Sequence, residues 1–381
     1  MSELVAFLAG TAVGALGLIP FLHTNTLVEL LPRFLESGPA AVFVVSLAFS
    51  HAVFEVLPAT FFAVPSASQN ISVVPAHRLA REGKGFQAMK LMAYSLAAGV
   101  FFGVLASPAA TFLLPLAYSL VKPVTALLLC GVVAVMLAGE KNFFAGLIVA
   151  CLSGLLGLAS FGLPLPEPVF PLLAGLFAVP AALAGARASE LVEQSAGEPR
   201  VPWAMVLLGA FLGACSGLLP ALSPALLAGI AFVFVKSGSE KFIALTSSIA
   251  GAKLVSDLIV LGELGKARSG AAAAVQSFLG VPSATETTLL VVAGAAALAA
   301  ALAALLLVYR RAALALCGKN YAFSSKVFLS FLAVMLFFFG GWLALFVCAV
   351  AACVGVLALL LNCKRSLCCA ALLVPAIAAL I

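Results

Sequence analysis

Long uncharged apolar stretches alternate along the chain with short polar breaks. Most of the stretches reach the length of about 20 residues that a bilayer span requires. They run over Leu91–Val121, Asn142–Pro166, Pro168–Ala186, Val201–Val235, Thr287–Tyr309, Val327–Cys363 and Ser366–Ile381. None alternates apolar and polar residues with a period of two. Because backbone groups in lipid must be bonded internally, the pattern predicts membrane-spanning helices and not a barrel.

The same pattern predicts the order of elements, and we expect about 10–12 transmembrane or re-entrant segments. In the first half they are a span near Glu3–Ile19, an amphipathic helix near Thr26–Glu36, a span at Pro39–Val64, a basic loop from Pro65 to Gln87 and further segments ending near Ala186. In the second half they are Pro202–Leu219, a short helix at Pro224–Lys236, a span at Lys241–Leu264, a small-residue stretch at Ser269–Gly280, spans at Thr287–Tyr309 and Val327–Leu361 with a hairpin at Gly340–Gly341, and Leu367–Ile381.

Composition supports this assignment and excludes several classes of protein. The 381 residues are 64% hydrophobic and only 9% charged, whereas a soluble domain carries about 25% charged residues. The net charge of +6 comes from basic residues in loops, a pattern of membrane topology and not of nucleic-acid binding. No P-loop, GxSxG, HExxH or CxxC motif is present. We therefore expect a multi-pass protein of the cell membrane that is not an enzyme and holds no metal or cofactor.

One long polar break, Arg187–Arg200, divides the chain almost in half and points to an internal repeat. The segment "GLIPFL" at Gly17–Leu22 aligns with "GLLPAL" at Gly217–Leu222, and "SLAFSHAVFE" at Ser46–Glu55 aligns with "SIAGAKLVSD" at Ser248–Asp257, at nearly the same spacing. The sequence therefore predicts an all-α fold of two membrane repeats, residues 1–186 and 202–381, joined by a polar linker at 187–201. Inverted repeats with broken helices are the usual plan of secondary transporters.

The aligned Gly-Leu-x-Pro motifs are the first candidate site. Proline ends or kinks a helix, glycine permits close approach of a ligand, and the exposed helix ends attract anions. Thr24 or Asn25 could cap the helix that follows the first motif. The candidate substrate-binding residues at the two motifs are Gly17, Pro20, His23, Thr24, Asn25, Thr26, Gly217, Pro220 and Ser223. The alternative is a plain loop at the membrane surface.

The second candidate feature is a basic and an acidic residue one helical turn apart in each half. The alignment places His51 over Lys253 and Glu55 over Asp257. An ionisable group inside a membrane usually faces a cavity or a partner. We predict that His51, Glu55 and Asp257 couple transport to protons or sodium, and that Lys253 is the main charged contact of an anionic substrate. The alternative is two local ion pairs that only fix packing.

Polar residues follow the second span of each half. Ser66 and Ser68 lie in the segment Val64–Phe86, which is either a basic topological loop or a re-entrant polar hairpin that contributes to the substrate site. The segment Gly262–Gly270 occupies the equivalent place in the second half. Its Lys266 and Arg268 fit either an anchoring or an anion-binding role.

Three segments together resemble a known transporter family. They are "GLIPFLHTNT" from Gly17, "SHAVFEVLPATFFAVPSASQNISVVPAHRLAREGKGF" from Ser50 and "SSIAGAKLVSDLIVLGELGKARSGAAAAV" from Ser247. The chain resembles the archaeal branch of the large permease subunit of tripartite tricarboxylate transporters, most strongly over residues 10–90 and 205–275 and weakly from about 285. Phe21, Ser66 and Ala76 stand where the family usually carries glycine, so we do not carry tricarboxylate specificity over.

The resemblance implies a permease that moves small organic anions by secondary transport. It also implies a small membrane subunit and an extracytoplasmic binding protein as partners, beside the lipid bilayer and the anionic substrate; a homo-oligomer is a further alternative. The competing interpretations are a translocase for polyprenyl-phosphate or a related lipid headgroup, which also needs a cationic pocket, and a membrane enzyme or scaffold.

Overall fold

The computed structural model describes residues 2–19, 24–29, 37–62, 73–186, 192–218, 224, 227, 231, 238–317 and 321–381. All of the regular structure within these ranges is helical. The first half contains α1 (Glu3–Val13), α2 (Thr24–Glu29), α3 (Ser37–Phe54), α4 (Val56–Phe62), α5 (Val73–Arg81), α6 (Gly85–Val121), α7 (Thr125–Ala138), α8 (Phe143–Phe161), α9 (Val169–Leu173) and α10 (Val179–Ala186). The second half contains α11 (Trp203–Cys215), α12 (Ser239–Leu264), α13 (Gly270–Leu279), α14 (Ala284–Cys317), α15 (Tyr321–Leu360) and α16 (Ala370–Ala378).

Six helical units in the described part are long and apolar enough to cross a membrane, so the chain is a multi-pass membrane protein. They are Ser37–Phe62, Gly85–Ala138, Phe143–Phe161, Ser239–Leu264, Ala284–Ala315 and Leu329–Leu360. Three are composite: Ser37–Phe62 joins α3 and α4 at Glu55, the 54-residue unit contains a 3₁₀ turn at Lys122–Val124, and α15 is broken at Gly341, with φ 61° and ψ −157°. At 1.5 Å per residue the 54-residue unit is about 80 Å long, more than twice the hydrocarbon thickness.

Two of these spans form the centre of the molecule. Ser37–Phe62 and Ser239–Leu264 each have 26 residues, and both are almost entirely buried. Neither keeps a polar face toward solvent, as expected of helices in the interior of a larger bundle, and the ionisable side chains of both that lie in this interior are paired. Gly85–Ala138 and Ala284–Ala315 pack against them, whereas Phe143–Phe161 and Leu329–Leu360 pack mainly on other outer helices. All four expose large apolar side chains on their outer faces.

Glycines on α1 and α11 bring these helices into direct contact with the central pair. A Cβ at Gly10 would lie 2.4 Å from the Phe43 carbonyl oxygen on α3, and one at Gly209 would lie 2.6 Å from the Leu245 carbonyl oxygen on α12. Further glycines follow one and two turns later on both helices. Each helix then ends in a 3₁₀ turn, Gly14–Leu18 after α1 and Ser216–Leu218 after α11.

The two halves exchange helices across the centre. The α6 helix of the first half packs on α12 of the second, where a Cβ at Gly99 would lie 2.2 Å from the Ser248 carbonyl oxygen and one at Gly251 2.0 Å from that of Leu96. In return, α14 of the second half packs on α3 of the first, and a Cβ at Gly294 would meet the Phe49 ring at 2.9 Å. Each half therefore completes the core of the other.

A second hydrophobic core lies between the outer helices α7, α8, α15 and α16 and the segment from α9 to α10. It repeats the exchange between halves, because α8 packs on α16 and α10 packs on α15. A Cβ at Gly157 on α8 would lie 2.0 Å from the Ala371 carbonyl oxygen on α16. Between α9 and α10 the chain makes a π-helical turn, Ala174–Ala178, and Arg365 donates a hydrogen bond to the Phe177 carbonyl within it.

One sequence prediction is corrected by the described residues. The basic loop predicted from Pro65 to Gln87 contains the helix α5, and α6 already begins at Gly85. Within the predicted polar linker, residues 192–200 lie against the turn between these helices. There the Gln194 amide accepts a bond from the Gly85 N–H at 2.7 Å and donates one to the Ala80 carbonyl at 2.8 Å.

Other predicted elements agree or fall outside the described ranges. The spans predicted at Glu3–Ile19, Pro39–Val64 and Lys241–Leu264 match the observed helices within about three residues. The short helix predicted at Thr26–Glu36 begins at Thr24, and residues 30–36 lie outside the described part. Most of the helix predicted at Pro224–Lys236 lies outside it as well.

Candidate functional site

The first acid–base pair lies in the interior at the end of α3. The Nδ1 atom of His51 is 3.6 Å from Oε2 of Glu55, and the two residues are only 2% and 9% exposed. Glu55 occupies the single turn residue between α3 and α4, yet the helical ladder continues through it, since its N–H donates to the His51 carbonyl at 2.9 Å. The helix therefore fixes both side chains on one face.

Gly17, the first residue of the first Gly-Leu-x-Pro motif, packs on the backbone at this pair. A Cβ at Gly17 would be 2.7 Å from the His51 carbonyl oxygen and 3.1 Å from the backbone nitrogen of Glu55. Only a residue without a side chain fits there, because the clashing atoms belong to backbone. The conformation of the chain thus brings the start of the motif and the acid–base pair together.

The second pair has a shorter contact. Nζ of Lys253 lies 2.5 Å from Oδ1 of Asp257, and their side chains are 15% and 4% exposed. The neighbouring Ser256 hydroxyl donates to the Ala214 carbonyl near the end of α11 at 2.8 Å. A Cβ at Gly217, in the second motif, would be 3.1 Å from the Ser256 hydroxyl oxygen.

The prediction that Glu55 and Asp257 lie in the protein interior is confirmed by their burial. In both halves the acid is one turn from a basic side chain and beside the broken end of the preceding helix. The direct Lys253–Asp257 contact is also what the packing alternative predicts, so the coupling and substrate roles of these residues stay predictions.

Several predicted site residues fall outside the described part of the chain. They are Pro20, His23, Ser66, Ser68, Pro220 and Ser223. For Asn25 and Thr26 only the backbone is described, within α2. The helix α2 begins at Thr24, and Asn25 lies inside its first turn.

One buried cation was missed by reading the sequence, and Arg268, a candidate from the segment Gly262–Gly270, makes a contact that the sequence did not predict. Lys90 is only 6% exposed on α6, where it pairs with Glu198 of the linker and lies 5.3 Å from the Tyr309 ring centroid. Lys90 stands immediately before the uncharged run from Leu91, and this position was the signal in the sequence that Lys90 belongs to the helix. Arg268, between α12 and α13, donates from Nε to the Gly217 carbonyl at 3.1 Å.

Within the described ranges, no three His, Cys, Asp or Glu side chains come close enough together to hold a metal ion. The ionisable groups of the candidate site are instead arranged as the two basic–acidic pairs, each on a central helix beside a broken one. This is the arrangement of charged groups that intramembrane ion and substrate pathways use.

The sequence profile of a family described as "Tripartite tricarboxylate transporter TctA family" matches residues 4–369. The chain belongs to this family. Membership of the TctA family makes the chain a secondary transporter of the membrane and confirms the resemblance drawn from the three sequence segments. The match also extends far beyond residue 285, past the region where the resemblance is visible by inspection.

A relative of this TctA family member is a protein of Methanocaldococcus jannaschii described only as uncharacterized protein MJ1079. The two are 25% identical over 299 residues, which cover 72% of this chain and 73% of the relative. No solved structure matches the chain.

Proposed function

We propose that this TctA family member moves a small organic anion across the cell membrane, driven by a proton or sodium gradient. The observation that carries the proposal is the buried acid–base pair next to a Gly-Leu-x-Pro motif in each half of the chain. A buried charged pair costs desolvation energy and is weak evidence for a purely stabilising role. Its recurrence beside two helix breaks favours a functional one.

We further propose that residues 1–186 and 202–381 are inverted repeats joined by the linker 187–201. Two features support this division. The first is the matching glycine contact: Gly14 packs on Ser50 and Gly213 on Ala252, two positions that correspond in the alignment that places His51 over Lys253. The second is the reciprocal exchange of α6 and α14 between the halves. Relative motion of such repeats around a fixed site gives alternating access.

In the proposed site the anion binds between the two broken-helix motifs. The contacts we assign to it are Gly17, Pro20, His23, Thr24, Asn25, Thr26, Ser66, Ser68, Gly217, Pro220, Ser223 and Lys253. Exposed helix ends supply only about half a unit of positive charge each. A full cation must therefore complete the neutralisation of the anion, and we assign this role to Lys253.

The Lys253–Asp257 contact suggests how the anion and the driving cation are coupled. In the structure the two side chains neutralise each other across 2.5 Å. An anion that takes over the ammonium of Lys253 leaves the carboxylate of Asp257 without its partner. A proton or a sodium ion then restores neutrality at Asp257, so that anion and cation enter together. Glu55 and His51 would play the equivalent role in the first half.

The test measures binding and uptake with the purified full-length protein in lipid vesicles. We expect saturable citrate or succinate uptake that depends on a proton or sodium gradient. Lys253→Gln should weaken binding roughly tenfold or more, since a buried hydrogen bond to a charged group contributes about 1.5–3 kcal/mol. Lys241→Gln, on the same helix but exposed, is the control and should leave affinity unchanged.

Unchanged carboxylate affinity in a folded Lys253→Gln protein would remove Lys253 from the site. Binding of polyprenyl-phosphate without binding of any carboxylate would overturn the proposal in favour of a lipid-headgroup translocase. On family grounds we also propose a small membrane subunit and an extracytoplasmic binding protein as partners, which co-expression and co-purification would detect.

A further inference from the structure

Arg268 contacts the second Gly-Leu-x-Pro motif through one nitrogen of its guanidinium group. Its Nε donates to the Gly217 carbonyl at 3.1 Å, and the side chain is half-buried. The next residue, Ser269, caps α13 by accepting a bond from the Ala272 N–H at 3.3 Å. The backbone at Arg268 is therefore anchored to the start of a helix while its side chain is anchored to the end of another.

This single contact leaves most of the guanidinium unused. Arginine presents five N–H donors, and the terminal pair of nitrogens matches the two oxygens of a carboxylate in parallel. Arg268 takes part in none of the ion pairs within the described ranges, which are His51–Glu55, Arg78–Glu82, Lys90–Glu198 and Lys253–Asp257. The charge of Arg268 is thus uncompensated by the protein within those ranges.

The charges of the two intramembrane pairs make Arg268 important as a source of positive charge. His51 faces Glu55 and Lys253 faces Asp257, so neither pair adds net positive charge to the site. An anion in a low-dielectric site needs net positive charge to offset its lost hydration. Arg268 supplies such a charge at Gly217, which itself packs against Ser256, the residue before Asp257.

We propose that Arg268 binds the oxyanion group of the transported substrate through its two terminal nitrogens. The hydrogen bond from its Nε to the Gly217 carbonyl fixes the orientation of the guanidinium plane. The proposal rests on the proposed function and adds a specificity-determining residue to its site. Lysine cannot replace this residue without loss, because an ammonium group is a point charge that cannot make two parallel bonds from a fixed plane. A merely structural Arg268 would only cap the Gly217 carbonyl.

The experiment compares the wild type with Arg268→Gln, Arg268→Lys and the control Lys241→Gln, using the purified full-length protein. Lys241 is an exposed lysine at the start of α12. Citrate and succinate are titrated by calorimetry, and thermal unfolding without ligand reports on folding. We expect Arg268→Gln to weaken binding about tenfold or more and Arg268→Lys to recover only part of that loss. Lys241→Gln should bind as the wild type does.

Equal affinity of Arg268→Gln and the wild type would overturn the inference. The inference would also be overturned if Arg268→Gln lowered the unfolding temperature and Arg268→Lys restored both that temperature and full affinity. One donor to the Gly217 carbonyl would then suffice. If Arg268→Gln fails to fold, the affinity of Arg268→Lys is the test. A partial loss of affinity supports the inference, and full wild-type affinity overturns it. A wild type that binds neither citrate nor succinate would instead count against the proposed function itself.

Discussion

A lysine and an aspartate buried one helical turn apart depend on each other for their charge. Lys253 and Asp257 meet at 2.5 Å with little exposure to solvent. Removing one partner of a buried pair leaves the other as an uncompensated charge, whereas replacing both by apolar residues is often neutral. This asymmetry separates a stabilising role from a functional one.

Asp257→Leu should lower the free energy of unfolding by about 3 kcal/mol, because it leaves Lys253 alone in the interior. The double variant Lys253→Met, Asp257→Leu should regain most of that stability but lose gradient-driven anion uptake. Thermal unfolding and vesicle uptake measure the two effects. A double variant that transports normally would show that the pair only fixes packing.

His77, on α5 outside the predicted spans, gives a pH dependence of stability. Burial lowers the pKa of His77 below its ordinary value, and nearby Arg81 lowers it further, against a hydrogen-bonding contact of 3.3 Å with the Thr60 carbonyl that raises it. The folded state then binds fewer protons than the unfolded state between the two pKa values. Stability is therefore highest above about pH 6.5, the ordinary histidine pKa, and falls as the pH drops through the lowered value.

The measurement is the unfolding temperature between pH 8 and pH 5 for the wild type and His77→Gln. We expect a smaller decrease in the variant, which has no proton to gain at this position. Parallel curves would show that His77 does not contribute. The comparison isolates His77 because the other two histidines are unchanged.

At the residue scale, the sequence predicts contacts one helical turn apart and misses those between distant segments. The His51–Glu55 and Lys253–Asp257 contacts follow from helix geometry alone. The contact of Arg268 with Gly217 joins residues 51 positions apart and depends on how α12 turns into α13. Periodicity carries no information about such a contact.

Between helices, the closest contacts are made where glycines allow backbones to touch. A Cβ at Gly99 would come within 2.2 Å of the Ser248 carbonyl oxygen, and one at Gly251 within 2.0 Å of that of Leu96. Small residues take this role in membranes because helix association there relies on close packing and not on exclusion of water.

Gly99→Ala and Gly251→Ala should each destabilise the protein by about 1–3 kcal/mol or more, since backbone must shift to admit the methyl group. Gly131→Ala on α7 is the matched control, because nothing lies within 4 Å of its added Cβ. There the change should be neutral or stabilising by up to about 1 kcal/mol, as alanine is the better helix former. Unfolding temperatures in one detergent measure all three. Equal effects at the three positions would contradict the close crossing of α6 and α12.

At the element scale, long apolar runs specify the spans well, and Lys241–Leu264 is an example where prediction and helix nearly coincide. The basic residues of Val73–Arg81 predict a topological loop, but the segment is the helix α5. Those residues form the exposed side of a short helix whose Ala76 and Ala80 are buried. A helix of nine residues packed on others lacks the length that identifies a span.

For the whole molecule, the exchange of α6 and α14 makes the two halves depend on each other. The α3 helix needs α14 from the second half, and α12 needs α6 from the first. The linker reinforces this arrangement, since Glu198 pairs with Lys90 and the Ser195 N–H donates to the Gly83 carbonyl at 2.8 Å. The sequence repeat predicts two units but gives no indication of which helix packs on which.

Fragments test this dependence. Residues 1–186 and 187–381 expressed separately should each aggregate or be degraded, because each exposes a central helix without its partner. Co-expression should yield a complex that co-purifies and takes up anions. The readouts are size-exclusion profiles of each fragment and of the pair. A stable, monodisperse first fragment would show that the halves fold independently.

The packing of α6 on α12 also means that the two contact surfaces are synthesised at different times. Ser248 is added to the chain about 150 residues after Gly99, and at 5–20 residues per second the interval is roughly 10–30 seconds. During that interval α6 lies in the bilayer with its glycine face against lipid tails. Insertion of the first half and assembly of its core are therefore separate events in time. A ribosome that stops before Ser248 leaves α6 without the surface that its glycines fit.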